Sequence, residues 1–424
     1  MISNLYDNAE ADPNAEAELK SEVEVDTDPE DEAELESEVE VEADPNVEAE
    51  PEQETASDLE PEAEEQPVDE TQSPPAPSAY QTQVPPASLP SASAPSTSKT
   101  PAPAVQTPVT PRRRIALLAG GTSGEREVSL ASGQNAAQAL TDAGHQVEII
   151  DTIDPGFIHT LIEIQPDVVF IALHGRDGED GRIQGLLELL RLPYTGSGVL
   201  ASSLAMDKCQ SKVFYRNAGI QAPDCVQITH TMIGLQAAQD FVTRYGLPCV
   251  VKPTDEGSSL GISIVRDMTD LAWALDLGFK YSRSILVERF IAGVEVTVPV
   301  IGNDELIALP VIEIVPVVSD FYDYEAKYSE GGSNHIIPAR LSPSLLEYVQ
   351  EQALKAHQVL GCMGMSRSDF IVDALGTAWI IETNTIPGMT SLSLLPDSAR
   401  HAGIEAGDLY TRIVEWGIEA HSYR

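Results

Sequence analysis

Basic residues are scarce in this sequence: 25 Lys and Arg stand against 68 Asp and Glu in 424 residues, a formal net charge of -43. Such a balance argues against a nucleic-acid partner, which requires a basic face. Cysteine is scarce too. Only Cys209, Cys225, Cys249 and Cys362 occur, at spacings that fit neither paired metal ligands nor a CxxC redox pair, so they read as reduced thiols of a cytoplasmic protein. No stretch approaches the roughly 20 apolar residues that span a bilayer, so no membrane contact is expected. No basic start followed by an apolar run marks a secretory leader. A Walker GxxxxGK(S/T) loop is also missing, so a nucleotide triphosphate would have to be gripped by other means.

The acidity is unevenly placed. Residues 1–70 hold 29 Asp and Glu and one basic residue, Lys20, so this segment carries -28 of the -43. Residues 71–111 then turn to Pro, Ser, Ala and Thr, as in Ser73-Pro74-Pro75-Ala76-Pro77. Neither segment has the apolar content to offset the entropy of ordering, and residues 1–110 read as a disordered acidic and then Pro-rich tail, a tolerated extension rather than part of a catalytic machine. The remaining residues suffice for two or three lobes with sizeable cores.

Beyond the tail the chain alternates strands and helices, which gives an α/β class with α+β lobes. Arg114 to Ala119 is an apolar strand running into Gly120-Gly121-Thr122-Ser123-Gly124-Glu125, with a helix from Ser129 to Ala143 closed by Gly144. Strands follow at 146–150 and 168–173, and the second ends in His174-Gly175-Arg176-Asp177-Gly178-Glu179-Asp180-Gly181. Loops after such strands form the ligand edge of an open α/β layer, so Glu125 and His174 share that edge and together could orient a small zwitterion. A lone strand-end histidine is as readily structural.

A helix from Leu200 to Ala218 carries Met206-Asp207-Lys208, and the strand Cys249 to Pro253 carries Lys252. The loop Glu256-Gly257-Ser258-Ser259-Leu260-Gly261 leads into a strand at 262–265. Lysines on adjoining elements beside a small-residue loop could hold phosphates. The apolar segment 286–291 offers backbone that could meet an adenine edge. Strands at 295–301 and 306–315 precede residues 319–338, which lose periodicity; an irregular segment of this length in a compact protein is usually a lid or binding loop. A helix then starts at Ser342-Pro343 and ends near Leu360 before Gly361.

The stretch that organises the rest is a hairpin, Ser366 to Val372 and Ala378 to Asn384 around a Gly-containing turn. Side chains alternate along a strand, so Arg367 and Asp369 share one face and Glu382 and Asn384 share a face of the partner strand. If the faces coincide, they gather hard oxygen donors suited to Mg²⁺, with a guanidinium for an anion. A solvated charged hairpin would look the same in isolation. The turn Pro387-Gly388-Met389-Thr390-Ser391, able to present backbone N–H groups, favours the functional reading.

The strings GGTSGEREVSL, HGRDGEDG, AMDK, VVKPTDEGSSLG, YDYEAKY and ETNTIPGMT, in this order, resemble the D-alanine:D-alanine ligases, cell-wall enzymes of the ATP-grasp superfamily, over residues 112–424. The likeness implies a three-lobed ATP-grasp fold, with lobes at 111–200, 201–292 and 293–424. It also implies a homodimer that joins two D-alanines using ATP and two Mg²⁺ ions, Mn²⁺ being able to substitute. By that likeness Lys208, Lys252 and Lys327 contact ATP phosphates beneath the loop Ser258 to Gly261, including Ser259. Glu288, Arg289 and Ile291 meet adenine, although Arg289 stands where many relatives have lysine, and Glu295 meets the ribose. Asp369, Glu382 and Asn384 hold the metals. Glu125 and His174 orient the first D-alanine, and hydrogen bonds join Glu125, Ser258 and Tyr328. Arg367 and Gly388 form the oxyanion site, with Ser393 and Leu394 at the second D-alanine. Tyr328 favours a dipeptide over a D-alanine:D-lactate product. The competing readings are an ATP-grasp ligase of another amino-acid pair and a non-catalytic ATP-binding regulator.

Overall fold

A computed structural model describes residues 111–229, 232–257, 260–317 and 332–422. The acidic tail and most of the expected lid, 319–338, lie outside the described residues.

Three sheets divide the chain in sequence order. The first is parallel, in the order β2-β1-β3, from β1 (Arg114–Ala119), β2 (Gln146–Asp151) and β3 (Val168–Ile171). It carries α1 (Arg126–Asp142), α2 (Phe157–Ile164) and α3 (Arg182–Leu189). β1 and β3 are apolar runs with almost no exposed residue, as strands covered on both faces must be.

Two helices follow where the sequence suggested one: α4 (Val199–Met206) and α5 (Lys208–Asn217). The break falls at Asp207, whose backbone is extended and whose carboxylate accepts from the N–H groups of Cys209 and Gln210. Asp207 therefore caps a new helix rather than continuing the old one. The break also brings Lys208 to the end of a strand in the next lobe, where its N–H donates to Thr254 O at 3.0 Å.

That lobe is an antiparallel sheet in the order β4-β7-β5-β6. Its strands are β4 (Cys225–Thr229), β5 (Cys249–Pro253), β6 (Ser263–Val265) and β7 (Ser284–Arg289). The helices α6 (Met232–Tyr245) and α7 (Leu271–Gly278) cover one face. β7 stops at Arg289, so Ile291 lies beyond the strand expected to include it.

The third sheet runs β11-β10-β8-β12-β13, with β9 paired to β8. It comprises β8 (Val294–Gly302), β9 (Ile307–Ala308), β10 (Ile312–Pro316), β11 (Ser333–Ile336), β12 (Gly364–Val372) and β13 (Ala378–Asn384). The single strand expected at 306–315 is split into β9 and β10. Pro310 sits in the gap, where its missing N–H costs no ladder bond. Packed behind this sheet is α8 (Pro343–Leu360), which begins with proline in its first turn and ends on Gly361 in the left-handed region, φ 72°.

The last two helices are α9 (Leu394–His401) and α10 (Ala406–His421). Leu409, Tyr410, Ile413 and Val414 of α10 join the core of the first sheet, where Tyr410 meets Phe170 edge-on at 5.9 Å. Arg113, just before β1, forms a two-pronged ion pair with Glu415 of α10, with bonds of 2.8 and 2.7 Å. All four cysteines are unpaired, and burial pushes Cys362 up to about 12 and Cys249 up to about 11, which keeps both as unreactive thiols. Among the described residues no helix is long and apolar enough to cross a membrane.

Candidate active site

A cleft opens between the β4-β7-β5-β6 sheet and the β12–β13 hairpin. Val250, Ile262, Ile264, Phe290 and Ile371 give it an apolar floor, while Lys208, Lys252, Glu288, Asp369 and Glu382 bring charge to it. Arg289, Ile291 and Glu295 also line it, so the sequence reading had placed its nucleotide contacts around one cavity. The Arg289 guanidinium stacks over Trp379 at 4.8 Å, which fixes it as part of the wall.

Hairpin register settles whether the polar faces coincide. Arg367 lies opposite Asn384 and Asp369 opposite Glu382, so all four share one patch. Arg367 holds Asp369 through Nε at 3.0 Å and a second guanidinium nitrogen at 2.9 Å, and Thr297 Oγ1 donates to the same carboxylate. The Asn384 amide reaches Asp369 Oδ2 at 3.4 Å. Glu382 stands 3.3 Å from Lys208 Nζ, which also donates to Glu256 O at 2.7 Å. Two carboxylates and an amide oxygen fit Mg²⁺, which takes few protein oxygens and fills its remaining positions with water and phosphate. Among the described residues no group of three or more His, Cys, Asp or Glu side chains is placed to hold a metal ion by itself.

Lys252 and Glu288 face each other across β5 and β7, which pair Val250 with Glu288, and their ion pair is 2.7 Å long. Glu288 is 3 % exposed. Its carboxylate is taken up by two lysines, Lys252 at 2.7 Å and Lys212 at 3.0 Å. Burial alone would raise the pKa of Glu288, but Lys212 and Lys252 together hold it below the usual range.

Beside the cleft, the loops that follow the first sheet's strands carry Glu125 and His174. Glu125 is buried just before α1. A Cβ on Gly175 would come within 2.4 Å of its Oε2, and one on Gly257 within 2.8 Å, so the carboxylate is wedged between the loop after β3 and the loop after β5. Gly175, in the left-handed region at φ 68°, and Gly257 leave the room for that approach. His174 is also buried, and it spends both ring nitrogens: Nδ1 lies 3.1 Å from Ile386 O and Nε2 lies 2.9 Å from Ser132 Oγ. A carbonyl only accepts, so Nδ1 carries the proton and Nε2 accepts from the serine hydroxyl. Burial lowers the His174 pKa, although Glu125 pulls the other way, and the ring is neutral at pH 7. His174 thus grips the turn after β13.

That turn is held from several sides. Met389 N–H donates to Ser132 Oγ at 3.1 Å, and Met389 O accepts from Asn135 at 2.7 Å and from the Tyr410 hydroxyl at 3.2 Å. Glu179 accepts from Gly175 N–H at 2.9 Å and Ile386 N–H at 3.2 Å. Burial first, and then the nearby Glu125 carboxylate, raise the Glu179 pKa to about 8. Gly388 lies within this turn, close to Ser393, whose hydroxyl accepts from Thr390 N–H at 2.9 Å. Leu394 packs with Ile312 and Ile314 in a small apolar cluster, so its side chain is structural.

Ser258, Ser259, Lys327 and Tyr328 lie outside the described residues. Sequence reasoning missed Ser132, Glu179 and Lys212. Glu179 sits inside the HGRDGEDG string and Lys212 follows Lys208 by one helical turn, signals that were available; Ser132 gave none.

An antiparallel sheet folding down over a carboxylate-bearing hairpin, with lysines between, defines an ATP-grasp ligase. Known proteins sharpen this class. Residues 157–197 match the family model "D-ala D-ala ligase N-terminus" and residues 214–415 match "D-ala D-ala ligase C-terminus". The D-alanine--D-alanine ligase of Pelotomaculum thermopropionicum is 46% identical over 310 residues, 72% of this chain and 97% of that protein. The one from Syntrophobacter fumaroxidans is 48% identical over 317 residues, 73% and 99% of the two chains. Among solved structures, the Bacillus anthracis D-alanine--D-alanine ligase complexed with ATP is 31% identical, with a TM-score of 0.63 over 73% of this chain and 99% of that one. The chain belongs to the D-alanine–D-alanine ligase family, as the likeness read in its motifs implied.

Proposed function

We propose that the chain joins two D-alanines into D-alanyl-D-alanine, for peptidoglycan precursor synthesis, with ATP converted to ADP and phosphate. The observation that carries this reading is a cleft in which Lys208 and Lys252 face the Asp369 and Glu382 carboxylates of the hairpin, while the buried Glu125 carboxylate lies against Gly257 of its lining loop.

A carboxylate does not acylate an amine directly. In the proposed sequence a carboxylate oxygen of the first D-alanine attacks the γ-phosphorus of ATP, the bond to ADP breaks, and an acyl phosphate forms. Lys208 and Lys252 offset the phosphate charge. Asp369, Glu382 and Asn384 would hold two Mg²⁺ ions, or Mn²⁺ in their place, which neutralise phosphate oxygens when bound. Glu125 attracts the ammonium of the first D-alanine, and His174 keeps the turn beside it in place. The amine of the second D-alanine then attacks the acyl carbon, loses a proton, and expels phosphate. Arg367 and the Gly388 N–H stabilise the tetrahedral oxyanion, and Ser393 with the start of α9 borders the second substrate. Glu288 backbone, Arg289 and Ile291 border adenine, and Glu295 the ribose. Acyl phosphates hydrolyse in water, so the 319–338 segment with Lys327 and Tyr328 serves as a lid, and Ser258 and Ser259 belong to the loop over the phosphates. Three sheets in sequence order support lobes at 111–200, 201–292 and 293–424. The reading includes a cytoplasmic homodimer, which rests on the family likeness.

The test is phosphate release from ATP and Mg²⁺ with D-alanine, L-alanine, or D-alanine plus D-lactate, with the products weighed by mass spectrometry. D-Alanyl-D-alanine with phosphate is the expected result, without depsipeptide near neutral pH. Stimulation by another amino acid but not by D-alanine would overturn the substrate assignment and leave the ATP chemistry standing.

A further inference from the structure

One buried lysine has no part in the chemistry above. Lys212, one helical turn after Lys208 on α5, has no exposed side-chain surface and stands 3.0 Å from Glu288 Oε2. The other oxygen, Oε1, is taken by Lys252 at 2.7 Å, so two ammoniums share a single buried carboxylate. Lys252 and Glu288 line the nucleotide cleft, whereas Lys212 stands behind them. At 3.0 Å its ammonium and the Glu288 carboxylate form a close buried ion pair.

We propose that Lys212 is a positioning residue for the phosphate-binding lysine: it neutralises Glu288 from behind, so that Lys252 can turn its charge to ATP without leaving a buried carboxylate unpaired. This rests on the reading of the cleft as an ATP site. A carboxylate with a single cation in a dry interior forms a closed pair, and withdrawing that cation strands an uncompensated charge, which is strongly unfavourable. Lys252 and Glu288 alone would cancel and present little field to a polyphosphate. Lys212 makes the group one positive charge in surplus, placed before any ligand arrives. Burial lowers the Lys212 pKa, and the Glu288 carboxylate opposes that fall.

The experiment is calorimetric titration of the full chain with adenosine and with a non-hydrolysable ATP analogue in Mg²⁺, comparing wild type, Lys212→Met and Lys212→Arg. Lys212→Met should bind the analogue about tenfold more weakly or worse, with adenosine affinity unchanged. Lys212→Arg should retain most of the affinity. Adding Glu288→Gln to Lys212→Met should recover analogue binding, because no carboxylate is left to neutralise. Unchanged analogue binding in Lys212→Met, or equal weakening of analogue and adenosine, overturns the proposal. If Lys212→Met does not fold, the double variant Lys212→Met/Glu288→Gln, whose group keeps the single surplus charge of the wild type, must bind the analogue as the wild type does; an approximately tenfold loss there overturns the proposal as well. Equal affinity of the wild-type chain for adenosine and analogue would overturn the phosphate-site reading first, and this inference with it.

Discussion

At the nucleotide end of the cleft the functional side chains hold one another: Lys252 rests on Glu288, Lys208 on Glu382 and Arg367 on Asp369. Around the turn after β13 they hold backbone instead: His174, Ser132, Asn135, Glu179 and Tyr410 all bind main-chain atoms of Ile386 or Met389, or one another. The difference matches the ligands proposed for each end. A polyphosphate brings charge, and ion pairs can exchange partners when it arrives. An oxyanion needs a fixed N–H, and a turn tied at four or five points keeps its N–H where it was before the reaction began.

Removing charge from the exchangeable end should have the largest effect. Glu382→Gln should lower kcat/KM by about 100-fold or more at fixed Mg²⁺, with partial recovery at higher Mg²⁺, because a neutral amide is a poorer ligand for a hard cation. Initial rates across a Mg²⁺ titration check this; near-normal turnover at ordinary Mg²⁺ would break the contrast by showing that the hairpin carboxylates bind no metal.

Loosening the tied end should cost less and show in a different constant. Ser132→Ala removes both the acceptor of Met389 N–H and the donor to His174 Nε2. The expected result is a fall in kcat of about tenfold with KM for ATP unchanged. Stability should drop by about 1–3 kcal/mol as buried polar groups lose their partner. Steady-state kinetics beside thermal melting separate the two effects; a rise in KM for ATP with kcat intact would mean that the turn serves the nucleotide instead.

The smallest effect concerns pH. Glu179 titrates at about 8 in the folded chain against an ordinary 4.5. Between those values the folded state holds a proton that the unfolded state has released, so the stabilisation is complete below 4.5 and is lost as pH rises through 8. Glu179→Gln, which stays neutral, should flatten the fall in Tm across that window. A Tm profile as steep as that of the wild type would assign the slope to other groups.

Much of this was legible in the sequence because it depended on local pattern. The hairpin carrying Arg367, Asp369, Glu382 and Asn384 announced itself through alternation around a turn, and α8 through Ser342-Pro343 and Gly361. What stayed hidden depended on distance along the chain. The bond from Ile386 N–H to Glu179 joins residues 207 positions apart, and no periodicity records it. Lys212 looks like one more solvent-facing helix lysine until β7 is packed against α5 and its carboxylate appears. The split at Asp207 was recoverable, since aspartate is a favoured N-cap, but residues able to continue a helix on either side hid it.

The last helix has a consequence for how the molecule is made. Arg113 and Glu415 are 302 positions apart, and Tyr410, Ile413 and Val414 complete the core around β1 and β3. On the ribosome the first sheet emerges early, yet it lacks that wall until α10 has been synthesised. The first sheet to be made is then among the last to become stable, and during that interval its apolar strands stay exposed to misassociation unless a chaperone covers them.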